Sequence, residues 1–446
     1  MAGVGVCFLG FGSVARCVLK VWDLLLPDQP IGSLVIIDPI KHECQRPHKY
    51  YQVFLNKNNY KQVLKEAIID NDIKLCIDLS VYVEAMSILE WCQTFNILYT
   101  NTALEDWFEY PKWNGKTEIY EHTLYNRHMT IKRKYIEKST TAVIEMGMNP
   151  GLISHFAKAA LLKIASETPG LGEEKDCSKI AEKLSLKVVQ VSERDSQVSL
   201  YPRKKNTFYN TWSCIGFYEE ATDPCQIGCG THEIIRKDAI LPTEVFPGLD
   251  QPHQIFLPVR AMDIMVNSYE PLAGDYTGYC IPHGEASSLT CYLSRDKYRP
   301  SVYYVYLPCS EAIESLNEIR ANSYKIQENY LVYESGSLAG GYDAVGALLL
   351  FENDGKIKSY WSGTVVTNAM AKNISLEINA TCLQVAGGIL AAVDYCLSHP
   401  KEGVLFPESL DSGRVLEIAS PVLGNIIMDW VDFDPKTVQF NELIRL

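Results

Sequence analysis

Over the first third of the chain, short apolar runs alternate with longer stretches of helical period. Residues 3–9 are apolar, β-branched and bounded by glycine, which predicts a buried strand. Residues 14–26 crowd their apolar side chains onto one helical face, and residues 31–38 (IGSLVIID) repeat the strand pattern. Residues 60–69 and 83–94 predict helices, and residues 74–79, 96–100 and 140–144 predict strands. Alternating strands and helices predict an α/β fold, an N-terminal doubly wound sheet of the Rossmann kind. Ligands of such sheets lie outside the carboxyl ends of the strands. Here those ends are residues 80–82, 101–105 and 147–151.

Beyond residue 152 the pattern changes. A helix is predicted over 153–165 and an exposed charged loop over 167–179. Aromatic, β-rich segments follow at 184–191, 208–217, 279–292 and 301–306, so the second domain is expected to be α+β with a mixed sheet. The apolar helix at 382–397 is placed back on the first domain. The expected division is 1–148 for the first domain, with 149–381 and 398–446 forming the second.

The first strand runs into Gly10-Phe11-Gly12-Ser13-Val14-Ala15, a G-x-G-x-x-A turn opening a helix. Strand, glycine turn, helix, strand and acid make a dinucleotide-binding unit, and the cofactor expected is NAD. Gly10 permits the turn, Gly12 admits pyrophosphate to the backbone, and the N–H groups from Ser13 and Val14 onward face the phosphates. Asp38 is placed on the ribose hydroxyls, where a 2′-phosphate would meet its charge. It stands 28 positions beyond Gly10, so the helix or its exit loop must be extended (38 − 10).

Composition narrows the partners. Lys and Arg number 41 against 54 for Asp and Glu, a net charge of −13 that suits cationic ligands and argues against a nucleic-acid binder. The fourteen cysteines are irregularly spaced without a C-x-x-C pair, as expected of reduced thiols in the cytoplasm. The first basic residue is Arg16, which does not resemble a signal-peptide n-region. No uninterrupted apolar run reaches the length of a membrane helix, so no membrane partner is expected.

Several polar groups invite chemistry. Asn149-Pro150-Gly151 is predicted to cap the helix that follows it, with Asn149 at the active edge of the sheet. Glu193-Arg194-Asp195 reads as a corner after a strand. His283 and Glu285, read as part of one strand over 279–292, would share a face at period two. Cys225, Cys229, His232 and Glu233 lack any familiar zinc spacing, so no metal is expected.

Taken in order, GFGSVA, DLSV (78–81), NTALEDW (101–107), MNPGLIS (148–154), SERDSQ (192–197), NTWSCIGF (210–217), GCGTHE (228–233), HGE (283–285) and NATCLQV (379–385) resemble the bacterial-type homospermidine synthases, of the saccharopine-dehydrogenase-like group. The resemblance runs essentially end to end. It implies a homodimer that condenses two putrescines to homospermidine and releases ammonia, with NAD as a recycled hydride store. By motif, Glu193, Trp212, His283, Glu285 and Asn149 are implied as catalytic. Glu105, Glu220, Asp343 and Tyr82 are implied at the diamine, and Ser80 and Thr102 join Gly10, Gly12, Ser13, Val14 and Asp38 at the cofactor. Where the family pattern has an acid directly after its LSV segment, this chain has Tyr82, with Glu84 two residues on. The alternative is another oxidoreductase of the same group acting on a carboxylated amine, which would need arginines aimed at the carboxylate.

Overall fold

The structure, a computed structural model, describes residues 3–110, 112–113, 119–135, 137, 139–242 and 253–445. Strand β1 (Val4–Leu9) is buried on both faces, as a central parallel strand must be, and the glycine turn leads from it into helix α1 (Ser13–Leu25). Five more strands follow: β2 (Ile31–Ile37), β3 (Lys49–Tyr51), β4 (Leu75–Asp78), β5 (Leu98–Asn101) and β6 (Ala142–Val143). They pair in parallel in the order β6-β5-β4-β1-β2-β3, and a distant segment, Val404–Leu405, pairs in parallel beyond β6. The order reverses between β1 and β4, which opens a crevice at their carboxyl ends.

The second domain is built on a ten-stranded mixed sheet. Its central strand, Leu186–Asp195, pairs parallel with Ser301–Leu307 and antiparallel with Tyr342–Asn353. The helix Leu152–Glu167 packs on one face of this sheet. The helix Ala380–Ser398 returns to pack against α1, joining the two domains through a continuous apolar core. That helix is long and apolar enough to cross a membrane, yet 78% of its most apolar window is buried inside the protein. All fourteen cysteines are free thiols.

Four local expectations are corrected. Glu193-Arg194-Asp195 is no corner: the strand runs through it, because Glu193 pairs with Val345 on one side and Tyr306 on the other. Residues 279–292 are not one strand. Pro282 has no N–H for a ladder, so the strand ends at Ile281, and Glu285 opens a helix, Glu285–Leu293. Residues 208–217 likewise divide into a strand, Thr207–Asn210, and a helix, Cys214–Thr222, whose N–H at Gly216 donates to the Ser213 hydroxyl at 3.0 Å. Within the loop predicted at 167–179, Asp176 caps a helix, Cys177–Lys183, that begins two residues before the loop was to end.

Candidate active site

One cavity of about 210 Å³ opens between the domains, at the carboxyl ends of β4, β5 and β6. Asp78, Glu105, Asp106 and Glu145 border it from the first domain, and Glu193, Glu219, Glu220 and Asp223 from the second. Against these eight carboxylates the described lining holds two strongly basic side chains, and both are engaged. Lys112 pairs with Glu219 at 2.7 Å, and Arg127 donates to Asp106 at 2.5 Å and to the Leu104 carbonyl at 2.6 Å. Burial without matching cations disfavours ionisation. It pushes Glu105 up to about 8, reinforced by the neighbouring Glu219 charge, and Glu220 up to about 8. Asp223 rises to about 7 for the same reason, although Arg127 opposes the shift.

Asn149 lies at the centre. It does not cap the helix, which begins only at Leu152, because the Gly147 N–H donates to the Pro150 carbonyl at 2.6 Å and closes a tight loop ahead of it. The Asn149 amide instead donates to Glu193 Oε2 at 2.6 Å, and the Tyr304 hydroxyl donates to the same oxygen at 2.6 Å. Burial raises Glu193 to about 7, and these two donors hold it from rising further. His283 stands opposite, its Nδ1 2.6 Å from Glu285 Oε2 and its ring centroid 4.5 Å from that of Tyr304. Burial alone would lower the imidazole. The Glu285 carboxylate, with Glu220 and Glu145 behind it, outweighs that and raises His283 to about 9. Glu285 does not reach the cavity wall, and sits behind His283 as its partner. The strand placement predicted for the pair is wrong, yet the turn and the helix start bring them together.

The indole of Trp212 faces the cavity, with its Nε1 donating to the Tyr306 hydroxyl at 3.1 Å. Tyr306 in turn stacks on Tyr304, with ring centroids 5.6 Å apart and planes at 16°. Asp343 stays behind the wall. It is fully buried, faces Asp195 across the sheet, and accepts from Thr381 at 2.7 Å and Gln384 at 3.1 Å. Tyr82 also stays off the wall, held edge-on against Phe108 at 4.9 Å. Glu84 cannot replace an acid there: the strand stops at Asp78, and Glu84 turns away to accept from Ser87.

The cofactor residues gather at the neighbouring crevice. Gly10 has φ +76°, and a Cβ there would lie 2.6 Å from the Leu79 carbonyl oxygen. At Gly12 a Cβ would meet nothing within 4 Å, so the space before it is a cradle for something outside the chain. No side chain caps α1, which leaves its first N–H groups to an anion. Asp38 closes the cradle, accepting the Phe11 and Ile40 N–H groups at 2.7 Å each. Val14, Ser80 and Thr102 carry the cradle into the cavity, and Ser13 opens α1 beside Cys382. These residues fit a dinucleotide. Cys225 and Cys229 lie on and just after the buried strand Pro224–Gly228, and among the described residues no group of three His, Cys, Asp or Glu could hold a metal.

Sequence reasoning missed Glu145, Tyr304, Glu219 and Asp223. Glu145 was the most accessible, since it directly follows a predicted strand at the active edge. Tyr304 needed the sheet pairing with Glu193.

Comparison with known proteins agrees with this layout. Residues 6–143 match the saccharopine dehydrogenase NADP binding domain, and residues 147–428 match the saccharopine dehydrogenase C-terminal domain. The chain is 29% identical to the homospermidine synthase of Blastochloris viridis, over 96% of this chain and 92% of that protein. It is 28% identical to the enzyme of the same name from Mesorhizobium japonicum, over 98% and 93%. The crystal structure of the homospermidine synthase of Legionella pneumophila in complex with NAD superposes with a TM-score of 0.83 at 30% identity, covering 96% of this chain and 92% of that one.

Proposed function

Because this chain belongs to the saccharopine dehydrogenase family, in its homospermidine synthase branch, we propose that it condenses two putrescines into homospermidine with release of ammonia. The observation that carries this reading is the cavity wall: eight carboxylates, four of them raised to about 7 or 8 by burial, face one space. Such a wall is costly for the protein alone and favourable around a polycation.

NAD, when bound along the Gly10–Val14 turn with Asp38 at its ribose, supplies the oxidation of the first amine and the reduction of the final imine. The family model names NADP and the solved relative holds NAD; the Asp38 carboxylate at the cradle favours NAD. The chain's own residues bind the diamine and move its protons. Asn149 and Tyr304 both donate to Oε2 of Glu193, which leaves Oε1 for an ammonium or its proton. With a value near 7, Glu193 is matched to taking that proton at neutral pH. Glu285 engages Nδ1 of His283 and directs Nε2 to the substrate, and at about 9 the ring is a proton donor to the departing amine. Trp212 offers a π face to the cationic imine. Glu105 and Glu220 hold distal ammonium groups.

A carboxylated amine is the weaker reading, since Arg127 is already committed to Asp106 and Leu104. We attach a cytoplasmic homodimer to the proposal on the strength of the resemblance and the reduced thiols. Incubation with NAD and putrescine decides between the readings. Homospermidine and ammonia without net NADH support the synthase, whereas accumulating NADH would point to a simple dehydrogenase.

A further inference from the structure

Glu145 follows β6 on the cavity wall, yet it is 2% exposed and holds a left-handed backbone, φ +58°, that side-chain-bearing residues rarely adopt. Two hydrogen bonds hold it there, and a neighbouring turn passes close by. Its N–H donates to Asn101 Oδ1 at 2.7 Å, and its Oε2 pairs with His128 Nε2 at 2.8 Å. A Cβ at Gly284 would fall 2.2 Å from that same oxygen, so a larger residue there would push the carboxylate from its present place. Among the described residues, Oε1 accepts no hydrogen bond, and the side chain that carries it lines the cavity.

The site therefore contains two histidine–glutamate dyads in opposite orientation. In one, His283 faces the cavity and Glu285 backs it; in the other, Glu145 faces the cavity and the fully buried His128 backs it. A buried carboxylate with one committed oxygen and one bare oxygen is poorly solvated unless a cation completes it.

We infer that Glu145, oriented by His128, is a further functional carboxylate of the reaction centre, presenting Oε1 to the amine beside His283. This inference rests on the diamine reading above. It also bears on the imidazole itself. The charged or titratable groups facing His283 are Glu285 at the start of the helix that follows it, Glu220 from Cys214–Thr222, Glu193 and Tyr304 from the mixed sheet, and Glu145 from the first domain. Glu145 is among the charges that hold the ring protonated.

The test is Glu145→Gln in the full chain with NAD, an isosteric change that keeps an acceptor for His128. Turnover of putrescine, as kcat/KM, should fall roughly tenfold or more, the scale of losing a charge-assisted contact. His283, followed by NMR on histidine-labelled protein without substrate, should titrate at lower pH than in the wild type. A side chain that only fills the wall leaves turnover of the folded variant unchanged, and wild-type turnover or an unmoved His283 titration overturns the inference. Should the amide variant fail to fold, Glu145→Asp serves. Aspartate tolerates the left-handed backbone and keeps the charge, but withdraws the oxygen from the amine, so turnover should again fall. If the wild type itself makes no homospermidine, the functional reading fails, and the His283 titration still decides whether Glu145 acts on the ring.

Discussion

The Asp38 carboxylate accepts the backbone N–H of Phe11, 27 residues earlier, at 2.7 Å, so the acid just after the second strand also clamps the glycine turn. Its other oxygen accepts the Ile40 N–H, and each oxygen retains a lone pair for a ribose hydroxyl. Asp38→Ala would release the turn as well as the ribose, and its effect on the cofactor would be compound. Asp38→Asn keeps one acceptor for Phe11 and removes the charge. It should weaken NAD by roughly 10- to 100-fold and NADP by less, narrowing the preference. Fluorescence titration with both dinucleotides checks this, and a wild type that prefers NADP would reject the ribose assignment.

Glu193 is expected to hold or deprotonate the reacting amine. Glu193→Gln preserves shape and still accepts from Tyr304 and Asn149, so folding and NAD affinity should be unchanged. Putrescine turnover should fall by about 10²-fold or more, as for loss of a general base. Steady-state kinetics beside a thermal melt separates this from a structural effect, and unchanged turnover would remove Glu193 from the reaction.

Local pattern sufficed for the first domain, because a parallel strand buried on both faces and a glycine turn before a helix are properties of contiguous residues. The second domain was harder for a physical reason. Glu193 looks like a surface corner until its neighbours across the sheet, Val345 and Tyr306, are known, and both come from more than a hundred residues away. Pro282 did mark the end of its strand, but the small and polar residues after it carry no strong helical period and concealed a helix start. Asp343 was assigned to the diamine by motif alone, and nothing local could reveal that Thr381 and Gln384 take its oxygen behind the wall.

The cavity carboxylates also fix how stability varies with pH. For Glu105, Glu193, Glu220 and Asp223 the folded values, about 7 to 8, lie above the unfolded range near ~4. Their contribution is therefore present in full below about pH 4 and lost as pH rises to about 8. His283, raised to about 9 from an unfolded value near ~6.5, acts in the same direction, losing its contribution between those values. From this group of residues the substrate-free protein should lose stability steadily between pH 5 and pH 9. Putrescine should raise the melting temperature little at pH 5, where the acids are protonated, and most near pH 8. Scanning fluorimetry across that range tests it; a putrescine effect that is larger at pH 5 would contradict carboxylate binding.

Trp212 decides between packing and catalysis at the cavity wall. The intermediates of the proposed reaction are iminium and ammonium ions, and a carboxylate at every position would hold them too firmly to let them advance. An indole face attracts a cation by roughly 0.5–2 kcal/mol with little directional demand. The Nε1 bond to Tyr306 at 3.1 Å fixes the plane of that face, and the Tyr304–Tyr306 stack anchors the arrangement to the mixed sheet. Trp212→Phe keeps a weaker face and loses the anchoring bond, so it should retain part of the activity. Tyr306→Phe removes the bond while keeping the indole, and should cost less than Trp212→Phe. Trp212→Ala should lose most turnover while remaining folded and able to bind NAD. If the indole served only to fill the core, the alanine variant would instead lose roughly 3–5 kcal/mol of stability, and its activity would track the folded fraction. Turnover measured on the folded fraction of each variant distinguishes the two, and a folded Trp212→Ala protein with wild-type turnover would dismiss the cation–π role.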